Sequence, residues 1–322
     1  MLEKEDFKNK QIIVVFSSRG EKLSYKNSNM VITDKNGAVK YQISCYRIFS
    51  VFIIGEYSIT SGMIKHAMKF NYNISMFTTN FRLYGSIGDR MQGNTLLHRK
   101  QYAYDGNEIA AHLVIDKINS EITLLKDKRQ KNPACKEAIK KLKTYIKEIE
   151  ERKPDISSLR GIEGSAAKLY FANFFDFTKW NGRRPREKRD MINACLDIGY
   201  TMLFSMVEAL LKIYDFDIYC GVYHREFYMR KSLVCDMMEP IRTQIDKAVK
   251  KAITLKLITE DNFKVYQGQY QLEYRKAPVF TGYIMEQLMK EKERMFLYVR
   301  NYYRSFMKSK DTFDYPFYND EE

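Results

Sequence analysis

Over the first ninety residues, apolar positions come in short, β-branched runs punctuated by turn residues, the pattern of strands. IIVVFS (12–17) is one such run. LSYKNSNMVITD and VKYQIS flank Lys35-Asn36-Gly37, and Asn-Gly between two such runs predicts a hairpin, because both residues accept the left-handed backbone of tight turns. YRIFSVFII (46–54), NISMF (73–77) and FRLYGSI (81–87) continue the strands, with a short helix near 61–68 among them. GDRMQGN (88–94) reads as a linker. Beyond it the apolar period becomes 3.6, which predicts amphipathic helices over 98–125 and 135–151. Pro154 and Asp155 then break the chain; Ser157 or Ser158 is expected to cap a helix over 159–174, and Pro185 to open a long one reaching 212. Helices over 232–257 and 282–308 and an acidic, aromatic tail complete the chain. The pattern predicts an α+β, two-domain protein: a small N-terminal β-rich domain over 1–90 and a larger all-α domain over 91–322.

Charge adds a partner to this picture. Lys and Arg number 54 against 40 Asp and Glu, a net +14, and a basic chain without an acidic counterpart suits a polyanion such as nucleic acid; a merely well-solvated surface is the alternative. The five cysteines form no CxxC pair and are odd in number, so neither a zinc site nor a disulfide framework is supported, and a reducing cytoplasm is expected. The charged start MLEKEDFKNK is unlike a signal peptide. The apolar stretch 198–207 is stopped by Glu208 and is too short to span a bilayer, so a soluble protein with no membrane role is expected. No phosphate-cradling glycine loop or nucleophile elbow is present, which argues against nucleotide hydrolysis and serine acyl transfer.

Four polar positions stand against apolar surroundings. Glu163, in GIEGSAAKLYFANFF, lies either on the solvated rim of a buried helix or in a cleft. His224, in the loop CGVYH, is either a structural histidine or a ligand. Asp236 and Glu239, three apart in SLVCDMMEPIR, share one face of a greasy helix, where two carboxylates resist burial unless a cation joins them. Pro240 lacks the N–H that would reach the Asp236 carbonyl, so the helix should kink there. Carboxylates at a kink near an imidazole suit Mg²⁺ or Mn²⁺; pairing with Arg230, Lys231 or Arg242 explains them equally well. A second constellation is basic. KWNGRRPREKRD (179–190) joins Arg183, Arg184, Arg186, Lys188 and Arg189 to the single tryptophan, a mixture suited to a phosphate backbone with a stacked base, or to an idle solvated connector. YVRNYYRSFMKSK (298–310) repeats the mixture.

These residues carry a family pattern. Gly161-Ile-Glu163-Gly164, Ala167 and Tyr170-Phe171 resemble an E-G-x-x-A-x-x-Y-F helix. The basic loop runs into Asn193, Leu196 and Gly199-Tyr200; Gly221-Val-Tyr-His224 resembles G-x-x-H; and 232–242 is similar to S-L-x-x-D-L-M-E-P-F-R. In this order they resemble the CRISPR-associated integrase/endonuclease, the catalytic subunit of spacer acquisition and first universal CRISPR adaptation protein. Ile218 and Thr243 stand where many members have proline. The resemblance implies a metal-dependent DNA endonuclease/integrase of the hydrolase class, in which a protospacer 3′-hydroxyl attacks phosphodiesters of a CRISPR repeat. It implies one Mg²⁺ or Mn²⁺ held by Glu163, His224 and Glu239, with Asp236 supporting. The implied partners are double-stranded DNA, a second copy of the chain paired through the β domains, and the small ferredoxin-like second universal adaptation protein. Two rivals share the same residues: a metal-dependent, structure-selective DNA repair nuclease, and a non-catalytic basic scaffold that only binds DNA.

Overall fold

The structure is a computed structural model of the chain, and it describes residues 9–17, 20–79, 83–88, 93–175, 180–225, 228–273, 275–308 and 314–319. Contacts divide it into two units. One groups Met1–Thr95 with Glu208–Phe216, and the other groups Leu96–Val207 with Asp217–Glu322. The segment 208–216, expected in the helical domain, thus groups with the β-rich unit. Most of the expected linker, 89–92, lies outside the described residues.

In the first unit β5 (Ile48–Ile54), IFSVFII, is buried at every position, as a continuous apolar run must be when both faces of a strand are covered. It is the second strand of a four-stranded sheet ordered β1-β5-β6-β7, with β1 (Gln11–Phe16) and β6 (Asn73–Phe77) both parallel to β5 and β7 (Leu83–Ile87) antiparallel to β6. Parallel pairing of β5 and β6 needs a crossover, and α1 (Ser61–Phe70) supplies it. The antiparallel sheet β2-β3-β4 (Lys22–Lys26, Asn29–Thr33, Val39–Ser44) lies between β1 and β5 in sequence. The expected Asn36-Gly37 turn joins β3 to β4, with Gly37 at φ 83°. A second hairpin was hidden inside the preceding run: Asn27 and Ser28, both with positive φ, fold β2 back on β3.

In the second unit three of the expected helices are each split. Asp105 and Gly106 lie between α2 (Thr95–Ala103) and α3 (Glu108–Lys126); α4 (Pro133–Arg152) and α5 (Ile156–Phe174) follow. Asp155, rather than a serine, caps α5 by accepting the Ser158 N–H at 2.8 Å. The long helix α6 begins at Met191, not at Pro185, because Asp190 accepts the Asn193 N–H at 2.7 Å and acts as its cap. It runs through Glu208 to Lys212. By length and composition it could cross a membrane, but 78% of its apolar stretch is buried inside the protein. Pro240 does more than kink the next helix: α7 (Ser232–Met238) ends, and α8 (Arg242–Thr254) starts afresh. The final helical stretch is likewise two helices, α9 (Ala277–Lys290) and α10 (Lys292–Met307). The expectation of an all-α domain needs one correction, since Phe263–Tyr266 and Gln269–Leu272 form a hairpin, β8–β9.

Helix α3 is the centre of this unit. Thirteen of its 19 residues are buried, and it packs on α4, α5, α7 and α8. Helices α6 and α8 meet at Gly199, where a Cβ would lie 2.4 Å from Ile245 Cγ2. That contact is with a stiff β-branched side chain, so Gly199→Ala is expected to destabilise the protein by about 1–3 kcal/mol despite alanine's better helix propensity. Urea unfolding measures this, and Gly199→Ala combined with Ile245→Ala should recover part of the overpacking loss. A neutral or stabilising Gly199→Ala would mean that the helices yield.

Candidate functional site

The loop 221–224 is wrapped around one carboxylate. Asp236, fully buried on α7, accepts backbone N–H groups from Val222 (2.7 Å) and Tyr223 (3.0 Å) through Oδ2, and from His224 (2.9 Å) through Oδ1. The backbone passes too close for any side chain at Gly221: a Cβ there would sit within 3 Å of Ser232 Cβ, Asp236 Oδ2 and the His224 carbonyl. Gln101 clamps the approach to this loop by donating to the Asp217 carbonyl and accepting its N–H, and Arg225 Nε donates to the Val222 carbonyl. Asp236 Oδ1 is also 2.7 Å from His224 Nδ1. A carboxylate with three other donors can only accept here, so Nδ1 carries the proton and Nε2 keeps its lone pair for a ligand or a proton.

Glu163 and Glu239 meet at a different group. Lys117, on α3 and only 10% exposed at its side chain, donates to Glu163 Oε1 and lies 2.8 Å from Glu239 Oε2. The second contact is an ion pair without hydrogen-bond geometry, so Glu239 Oε2 is buried with no hydrogen bond. Arg242 reaches Glu239 Oε1 at 2.9 Å, and the Tyr223 hydroxyl donates to Glu163 Oε2 at 2.8 Å. Tyr223 therefore links the carboxylate pair to the His224 loop. Burial would raise the Glu163 carboxyl, but Lys117 and the hydrogen bonds it receives hold it down at about 2. Burial likewise works against the Lys117 ammonium, and Glu239 and Glu163 reverse it, holding the group above the ordinary lysine range.

Beneath these groups lie two acids that sequence reasoning passed over. Asp246 on α8 accepts from the Tyr170 (2.9 Å) and Tyr200 (2.5 Å) hydroxyls, tying α5 and α6 to α8; burial raises it to about 6. Glu121, one turn after Lys117, is raised by burial to about 8, and its Oε2 has no hydrogen bond. Lys117 was also missed. The available signal was DKINSE, a charged patch in the otherwise apolar run HLVIDKINSEITLL, which makes charged side chains of a helix buried on nearly every side.

The basic loop is more tightly held than its composition implies. Arg183 is committed to the helical unit: its guanidinium contacts Asp197 at 2.5 Å and Asn193 at 2.9 Å and lies over the Tyr200 ring. Arg184 and Arg189 are exposed and share Glu187, Arg186 is exposed, and Lys188 is half-buried, its carbonyl accepting the Tyr270 N–H. Trp180 is not an open stacking platform. Its indole donates to Asp190 at 3.1 Å and packs edge-on against Phe171 and Phe175.

Among the described residues, no three His, Cys, Asp or Glu side chains lie close enough to hold one metal ion. The donor set nevertheless fits a hard divalent cation. Two carboxylates already share one cationic nitrogen, one of their oxygens is buried without a hydrogen bond, and the loop that Tyr223 ties to Glu163 carries an imidazole held by a carboxylate in the tautomer that ligates. Asp236 has no capacity left as a ligand; it holds the loop. Asp236→Ala leaves three buried backbone donors without an acceptor, and the expected loss is at least about 3 kcal/mol in urea unfolding, with Asp236→Asn losing less. A loss below about 1 kcal/mol would mean that the loop does not depend on this carboxylate.

Comparison with known proteins agrees with this architecture. Over 280 residues the chain is 25% identical to the CRISPR-associated endonuclease Cas1 4 of Methanospirillum hungatei, covering 84% of this chain and 78% of the relative. A chain of a Cas6-RT-Cas1–Cas2 complex superposes with a TM-score of 0.77 at 18% identity, over 98% of this chain and 36% of that longer one. A casposase bound to integration product superposes with a TM-score of 0.73 at 19% identity, over 97% and 96%. At such identities the structural likeness speaks for the fold alone. The sequence itself goes further: the model of the CRISPR associated protein Cas1 family matches residues 14–283, most of the length, and the chain belongs to that family.

Proposed function

We propose that the chain is a divalent-cation-dependent DNA integrase and endonuclease that inserts protospacer DNA into a CRISPR repeat, acting in the cytoplasm. The observation that carries this reading is the convergence of Glu163 and Glu239, from two different elements, on one cationic nitrogen, with Tyr223 tying Glu163 to the loop whose histidine is fixed by Asp236. Glu163, Glu239 and His224 Nε2 would hold Mg²⁺ or Mn²⁺, which when bound supplies a Lewis acid for the phosphodiester oxygens and lowers the pKa of an attacking 3′-hydroxyl. The rest is the work of the chain's own residues. Asp236 keeps the imidazole oriented, Tyr223 holds Glu163, and Arg242 and Lys117 compensate carboxylate charge in a dry site. One phosphodiester is exchanged for another, so the reaction draws on no nucleotide hydrolysis.

Relatives support the same reading: a matched curated protein is named an endonuclease, and the structural neighbours include a Cas6-RT-Cas1–Cas2 complex and a casposase bound to integration product. Double-stranded DNA and a small ferredoxin-like second adaptation protein are the partners we propose. Pairing of two copies through the β-rich unit is part of the proposal, and the outer strand β4 offers exposed Val39 and Tyr41 for it.

Strand transfer of a 3′-hydroxyl duplex into a repeat-bearing plasmid, with the purified partner and Mn²⁺, tests the site. Glu163→Ala, His224→Ala and Glu239→Ala are each expected to lower the rate by about a hundredfold or more while DNA affinity persists. Near-wild-type transfer by one variant removes that residue from the site, and full activity in EDTA ends the metal reading. Cleavage of branched DNA without insertion into the repeat would make the protein a repair-type nuclease.

The exposed part of the basic loop is tested separately. Reversing Arg184 and Arg189 to Glu should weaken binding to all DNA sequences alike and flatten the slope of log affinity against log salt by roughly 0.9 per lost duplex contact. An unchanged slope with reduced assembly on the partner protein would make this loop a protein-docking surface.

A further inference from the structure

The Lys117 ammonium touches Glu163 and Glu239 at once, on the carboxylates that a divalent cation would take. Burying an ammonium is costly unless its partners are strong. One explanation is that the two carboxylates need a cation at all times. Without one, the two anions repel, and the middle of α5 and the end of α7 that carry them would be pushed apart. An ammonium and a divalent ion cannot share the same oxygens, so the lysine also needs somewhere to go. Glu121 lies one turn further along α3, on the same face as Lys117; it is 2% exposed, and its Oε2 is buried without a hydrogen bond. An unsatisfied buried acceptor beside an ammonium is an unusual thing for a folded chain to keep.

Resting on the reading of Glu163 and Glu239 as ligands, we propose that Lys117 is a resident counter-cation that holds the unloaded site together, competes with the divalent ion, and moves onto Glu121 when that ion binds. Lys117 is thus a positioning residue. It keeps the carboxylates close enough for the ion to capture both, and it sets the affinity below what the same ligands would give without a competitor. Glu121, one turn along the same helix face, accepts the displaced ammonium through its open Oε2.

The test is Mn²⁺ binding to the full chain, followed by calorimetry and by the electron paramagnetic resonance signal of free Mn²⁺, at one fixed pH. Lys117→Met is expected to bind Mn²⁺ about tenfold more tightly or better, the factor that removing a competing buried charge supplies. Its melting temperature without metal should fall, and the rise on adding Mn²⁺ should exceed that of the wild type. A lysine with a structural role alone would lower both melting temperatures equally. Glu121→Gln, which keeps the side chain's shape, is expected to weaken Mn²⁺ binding in the wild type and to have no effect in the Lys117→Met background, and it keeps the test decisive if Lys117→Met does not fold. Equal or weaker Mn²⁺ affinity in Lys117→Met, or an unchanged affinity in Glu121→Gln, overturns the proposal. Glu163→Gln and Glu239→Gln separate the two readings. If they abolish Mn²⁺ binding while Lys117→Met leaves it unchanged, the ligand reading stands and the competition fails; if they leave binding intact, both fail.

Discussion

Two carboxylates cannot share a dry pocket without a cation, and the helical unit is arranged around that constraint. Glu163 arrives on α5 and Glu239 at the end of α7, while the charge that lets them approach comes from α3, the helix that packs on α4, α5, α7 and α8. Further out, the tyrosines of α5 and α6 hold Asp246, so the helices bearing the site are joined beneath it by hydrogen bonds as well as by apolar packing. Removing any charge from such a set exposes the others to an uncompensated low-dielectric environment, which is why the members are expected to act as a group rather than as separate contacts.

The layout was legible in the sequence because it rests on periodicity. Runs such as IFSVFII and the 3.6-residue spacing after residue 95 can each become only one kind of element. What was less legible is where elements stop. The helix breaks at 104–107 and 239–241 and the caps at Asp155 and Asp190 depend on one side chain reaching one N–H, and several neighbouring residues offered equally plausible caps. The hairpin at 263–272 was lost for a different reason: KVYQGQYQ is short and half polar, so its alternation is weak against the helices around it.

The candidate site divides in the same way. His224, Asp236 and Glu239 stood out as polar residues on apolar backgrounds, and Pro240 marked the break that follows them. Lys117 and Glu121 did not stand out, because charges spaced four apart on a helix ordinarily signal a solvated face. Only the packing of α3 on four other helices turns them inward, and that is a property of the tertiary structure. Arg183 is the opposite case: a residue that looked like part of a phosphate-binding run is drawn into the fold by Asp197 and Tyr200.

The position of Trp180 gives the protein a built-in optical label. It is the single tryptophan of the chain, it begins the described part of the basic loop, and its half-buried indole is held by Asp190 and packs edge-on against Phe171 and Phe175. Its emission therefore reports the docking of this one loop on α5. Any event that pulls the loop toward solvent moves the indole off these two rings into water and shifts its spectrum to the red, without a dye or a substitution.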